Sequence, residues 1–214
     1  MLADIPGLPW IVLTAAAVPV YLIFEKRENR PGKAVVKPLA SLGFLGLALT
    51  AGALANPWGI LLLSGLAFCT AGDLFLLSRA RNLFLAGLVS FLTGHVLYCA
   101  AFLMRGPAPT PVLIAVVVLV LPAAFVWRWL QPRLAAGMRG PVLAYVIVIS
   151  LMLALSIGAP GTGVPGRVVA GAAAFYLSDI AVARDRFVAP GFGNRLWGLP
   201  LYYLGQLLIA SCAG

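Results

Sequence analysis

Two carboxylates lie inside stretches of this chain that are otherwise apolar enough to cross a bilayer: Asp73, in CTAGDLFLLSR (69–79), and Asp179, in FYLSDIAVARDRF (175–187). An ionisable group at the centre of a membrane helix costs roughly 2.5 to 3.5 kcal/mol on insertion scales. A chain with only six acids in 214 residues that keeps two of them there marks them as candidates for function. Lys37, in VVKPLA (35–40), is a cation placed similarly. Ser178 adjoins Asp179, and Arg184 follows it by five residues. His95 and Tyr98, in FLTGHVLYCAAF (91–102), are three apart and share a helix face, and Tyr202, Tyr203 and Gln206, in LPLYYLGQLLIA (199–210), offer further polar groups.

Burial and mutual repulsion would keep one aspartate protonated as an acid, while its partner, stabilised by Lys37, stays ionised as a base. Ser178 beside Asp179 is not a Ser–His arrangement and no other nucleophile with an adjacent base is apparent, so acid-catalysed addition of water is the more natural use of this set. Structural alternatives stand beside each role. Asp73 can be satisfied by hydroxyls or by Lys37, Asp179 by Arg184 or Lys37, and His95 by an interhelical hydrogen bond. Lys37 can also snorkel to the headgroups, and Asp185 reads as a solvated interfacial charge.

The elements that must position these groups are membrane helices. The chain is 62% hydrophobic and 10% charged, with a mean hydropathy of +1.03, far from the composition of a soluble domain. Apolar runs of spanning length fall at about 8–24, 34–54, 58–78, 82–104, 111–129, 141–158, 166–184 and 196–213. They predict an all-α, polytopic bundle of eight transmembrane helices in a single membrane domain, 1–214, with the first run retained because it lacks the basic flank of a signal peptide.

Of the 15 basic residues, twelve fall on or beside the first, third, fifth and seventh connections, Arg79 among them. The positive-inside rule then places those connections in the cytoplasm and both termini on the other side of the cell (inner) membrane. Trp10, Trp58, Trp127, Trp129 and Trp197 all fall at helix ends, as headgroup-level residues should. The net charge of +9 is dispersed, which fits contact with anionic membrane lipids and excludes a nucleic-acid surface. One histidine rules out a three-histidine zinc centre, no metal or other cofactor is expected, and Cys69, Cys99 and Cys212 read as packing residues. Nothing in the pattern specifies an oligomeric state.

At a rise of ~1.5 Å per residue, Asp73, Asp179 and Lys37 lie ~6 to 9 Å beneath the cytoplasmic surface, where they can share one site. A weak internal pattern also links the third and fourth spans with the seventh and eighth: aspartate, short basic turn, then a helix with polar aromatic residues. Helices three and seven run in the same direction, so this would be a parallel repeat.

The segments GD (72–73), GHVLY (94–98), SDIAVARDRF (178–187) and LYYLGQLLI (201–209), with KP (37–38), resemble the YhhN family, whose animal relatives include transmembrane lysoplasmalogenases. The resemblance implies hydrolysis of the vinyl ether bond of a lysophospholipid to a fatty aldehyde and a glycerophospho-ethanolamine or -choline. The residue chemistry is compatible with this, with Asp73 and Asp179 expected to divide the acid and base roles in an unassigned order. Lys37 and Arg184 would hold the phosphate, while His95, Tyr98, Ser178, Tyr202, Tyr203 and Gln206 line the substrate site and orient water or the glycerol hydroxyl. The alternative from another class is a proton-coupled transporter using the two aspartates as a relay, against which stands their position near one surface.

Overall fold

Asn29 and Asn56 begin two helices by the same chemistry. Each side chain accepts the backbone N–H of the residue three ahead, Gly32 at 3.0 Å and Gly59 at 2.8 Å, and a proline fills the first turn where no N–H is required. In the computed structural model, which describes residues 7–78 and 80–214, the apolar runs form eight α-helices. They are α1 (Leu8–Lys26), α2 (Arg30–Thr50), α3 (Pro57–Phe75), α4 (Arg81–Met104), α5 (Pro109–Leu130), α6 (Ala136–Gly158), α7 (Arg167–Phe187) and α8 (Phe192–Ala210). The protein is a multi-pass α-helical membrane protein. Arg79, counted above in the charge balance, lies outside the described residues.

α2, α6 and α8 each start about a turn before their apolar run, at the basic end of the bundle. Hydropathy stops where charge begins, whereas the helical hydrogen-bond ladder continues into the headgroup layer. Six helices are long and apolar enough to span on composition alone, and α7 and α8 fall short. The reason is the cargo they carry: α7 holds Asp179, Asp185 and three arginines, and α8 buries Asn194 and Gln206. α5 is the opposite case, burying only Ala115 and Leu130 and turning Leu121 and Phe125 to lipid. Trp58 begins α3 as expected, but it faces the protein interior: it is buried against Phe102 and donates its indole N–H to the Cys212 carbonyl at 2.8 Å.

The two halves of the chain repeat one another. α1/α2, α3/α4, α5/α6 and α7/α8 are packed hairpins, α2 lies on α3 as α6 lies on α7, and across the halves α4 lies on α6 as α8 lies on α2. The close crossings match as well. A Cβ on Gly65 would meet the Gly94 carbonyl at 3.1 Å and one on Gly94 the Gly65 carbonyl at 3.0 Å; Gly171 and Gly205 stand in the same relation at 3.0 and 2.8 Å. Asp73 follows Gly65 by eight residues, and Asp179 follows Gly171 by eight. Duplicated glycine crossings therefore set the two aspartates at equivalent places in α3 and α7. α8 packs on α1 and α3 as well, so the exchange of halves is approximate.

Candidate active site

Both aspartates line one cavity of about 210 Å³. Its rim is formed by residues next to the basic connections, among them Ser78, Arg186 and Arg195, and its deeper wall is apolar, with Leu88, Val142, Val146 and Ile149. This is an amphiphile's shape in negative: charge at the mouth and hydrocarbon beneath.

Asp73 is buried, at 3% exposure, and fully engaged. Lys37 Nζ lies 3.2 Å from its Oδ1, while Ser41 Oγ and Tyr202 Oη each donate to its Oδ2 at 2.8 Å. An ion pair with two added hydrogen bonds is the arrangement in which a carboxylate tolerates a low dielectric. Lys37 is itself 4% exposed, so it does not snorkel. α2, α3 and α8 meet at this group.

Asp179 is placed differently. Tyr145 Oη donates to its Oδ2 at 2.7 Å, and the nearest ring nitrogen, His95 Nε2, is 3.9 Å from the same oxygen. No lysine or arginine among the described residues comes within ion-pair distance of it. His95 Nδ1–H donates to the Phe91 carbonyl at 2.6 Å, so in the neutral ring Nε2 presents a lone pair towards Asp179. The two carboxyl groups share no hydrogen bond. Phe175 packs between their surroundings, 4.5 Å from the His95 ring and 5.2 Å from the Tyr202 ring by centroid.

The remaining sequence-predicted residues sort by distance from this cavity. Ser178 is on its wall, its hydroxyl donating to the Phe175 carbonyl at 2.7 Å. Tyr98 and Gln206 pair with each other at 2.9 Å in the bundle interior beside Cys69, and Tyr203 is buried with its hydroxyl unpartnered among the described residues. Arg184 is not brought to the cavity: five residues beyond Asp179 it is on another face of α7, where it donates to the Asn194 side chain. Asp185 is no freely solvated charge, since it accepts from the Gly191 N–H at 2.9 Å and pairs with Arg195 at 3.2 Å. Arg195 also pairs with Glu25, which Lys33 meets at 3.1 Å, so four charges tie the ends of α1, α2, α7 and α8 together at the cavity mouth.

Sequence reasoning missed Ser41, Tyr145 and Arg186. Ser41 lies one helical turn after Lys37 on the same face, and Arg186 lies two turns after Asp179 on the same face, so both spacings were readable. Tyr145 had no such signal, because its partner comes from another helix.

The YhhN family model matches residues 32–213. Over 179 residues the chain is 30% identical to lysoplasmalogenase TMEM86A of Bos taurus, covering 80% of this chain and 69% of the relative, and the Homo sapiens TMEM86A matches to the same extent. Lysoplasmalogenase TMEM86B of Homo sapiens is 32% identical over 153 residues, covering 71% of this chain and 63% of the relative. No solved structure matches.

Proposed function

The chain belongs to the YhhN family, and on that footing we propose that it is a lysoplasmalogenase-like ether hydrolase acting on a lysophospholipid in the cell membrane, its 214 residues forming one membrane domain. The observation that carries the proposal is the contrast between two carboxyl groups on one cavity: Asp73 with a cation and two hydroxyls against it, and Asp179 with a hydroxyl and, among the described residues, no lysine or arginine. An isolated carboxyl in an apolar wall is cheaper to keep neutral than charged. Asp179 is accordingly the proton donor, and Asp73 the standing negative charge.

Cleavage of a vinyl ether begins with a proton delivered to the alkene carbon remote from oxygen. Asp179 supplies it, and the positive charge moves to the adjacent carbon and the ether oxygen as an oxocarbenium ion. The Asp179 carboxylate just formed and the Asp73 carboxylate both stabilise that cation, as paired carboxylates do in glycoside hydrolysis. Water adds to the oxocarbenium carbon, its proton passing to a carboxylate, and the hemiacetal collapses to fatty aldehyde and the glycerol hydroxyl. Tyr145 fixes the Asp179 carboxyl, and the His95 Nε2 lone pair is positioned to orient the water. The cavity's apolar wall takes the alkenyl chain.

The relatives' names favour this activity, and they lend none to a proton-coupled carrier. The test is direct: purified protein in detergent is given a lysoplasmalogen and aldehyde is measured. Release of aldehyde and glycerophospho-ethanolamine in equal amounts is expected; no aldehyde from folded protein would refute the assignment.

A further inference from the structure

We propose that the cavity mouth carries an anion subsite centred on the Arg186 guanidinium, which takes the headgroup phosphate of the lysolipid; the inference deepens the hydrolase reading above and rests on it. Among the described residues, three cations line the cavity: Lys37, Arg186 and Arg195. Lys37 is committed to Asp73, and Arg195 to Glu25 and Asp185. Arg186 has no carboxylate within ion-pair distance among the described residues. Its guanidinium lies over the Phe84 ring, 4.1 Å from the centroid, and Phe84 is in turn held edge-on by Phe187 at 5.7 Å. Stacking on an aromatic face orients a guanidinium without neutralising it and leaves its in-plane N–H donors for a bidentate oxyanion.

Register along α7 supplies the second argument. Arg186 follows Asp179 by seven residues, two turns, so the two project from one face with Cα atoms ~10 Å apart along the axis. In a lysoplasmalogen, phosphorus and the carbon that receives the proton are separated by seven bonds through the glycerol. At the ~1.2 Å advance per bond of an extended chain that is roughly 8 Å. A phosphate on Arg186 therefore leaves the vinyl ether at the depth of Asp179, with the hydrocarbon continuing into the apolar wall. Arg184, five residues beyond Asp179, is on another face of α7 outside the cavity lining, where its guanidinium is engaged by the Asn194 side chain.

The test measures binding, independently of turnover, using a lysophospholipid analogue with an uncleavable alkyl ether and the matching alkylglycerol that lacks phosphate. Wild-type protein is expected to bind the phosphorylated analogue about 10- to 100-fold more tightly, the worth of a charge-assisted pair. Arg186→Gln should erase that preference, Arg186→Lys should retain part of it, and affinity for the alkylglycerol should move less than about twofold. A preference that survives in Arg186→Gln, or is absent from the wild type, overturns the subsite. Saturable binding of inorganic phosphate alone with the same dependence on Arg186 would reassign it to a free anion and overturn the headgroup assignment. If the binding preference follows Arg186 while a true lysoplasmalogen is bound and never cleaved, the subsite stands and the hydrolase reading fails.

Discussion

The chemistry of the individual residues turns on how each carboxyl is compensated. Asp73 and Lys37 form a buried pair, and breaking it from one side leaves a charge without a partner, a cost of about 3–5 kcal/mol. Asp73→Asn is therefore expected to unfold far more readily on heating in detergent than wild type. The double variant Lys37→Met with Asp73→Leu should recover most of that stability and still release no aldehyde, separating the structural part of the pair from its role in the reaction. Unchanged thermal unfolding of Asp73→Asn would mean that the pair is solvated. Asp73, Asp179 and Lys37 were legible in the sequence because burying charge is expensive wherever it happens. Tyr145 was not, because a tyrosine in an apolar helix carries no such penalty and its partner is set by packing. Arg184 is nearer to Asp179 along the chain, but the helical period favours Arg186, seven residues beyond Asp179.

At the scale of the helices, glycine pairs fix how closely α3 approaches α4 and α7 approaches α8. A valine at Gly65 would drive its side chain into the Tyr98 ring and the Gly94 carbonyl, and one at Gly171 into the Gly205 carbonyl and the Leu208 and Ile209 side chains. Each substitution is expected to destabilise by about 1–3 kcal/mol, the usual cost of overpacking. The measurement is thermal unfolding of the two variants side by side: similar losses support equivalent crossings, and a loss confined to one half contradicts the repeat. Span positions were readable from hydropathy, since the bilayer demands a minimum apolar length. The starts of α2, α6 and α8 were not, because those helices extend past the apolar run into basic residues. The repeat showed only faintly in sequence, because what the halves share is a few small residues and an aspartate at one spacing, while their lipid-facing side chains are free to differ.

For the whole molecule, two similar halves face each other across a cavity that opens at the end bearing the basic connections. The first and last described residues lie at the opposite end: Gly7 sits against Leu47 and Thr50, and Gly214 against Ala51. We propose that the basic end faces the cytoplasm, as the positive-inside rule expects. In a background with the three buried cysteines replaced, a cysteine at Gly191 should then react with an impermeant thiol reagent only from the cytoplasmic side, and one at Gly106 only from the other; the reverse pattern would invert the topology. Under the proposed reading and that orientation, lysolipid enters from the inner leaflet with its headgroup against Arg186 and its vinyl ether beside Asp179. The central claim is that Asp179 delivers a solvent-exchangeable proton to the vinyl carbon, and turnover in heavy water with immediate trapping of the aldehyde tests it most directly. Wild-type protein should yield aldehyde carrying one deuterium on the carbon next to the carbonyl, and folded Asp179→Asn should yield about 10²- to 10⁴-fold less aldehyde. Aldehyde without that deuterium, or undiminished yield from Asp179→Asn, would contradict the account.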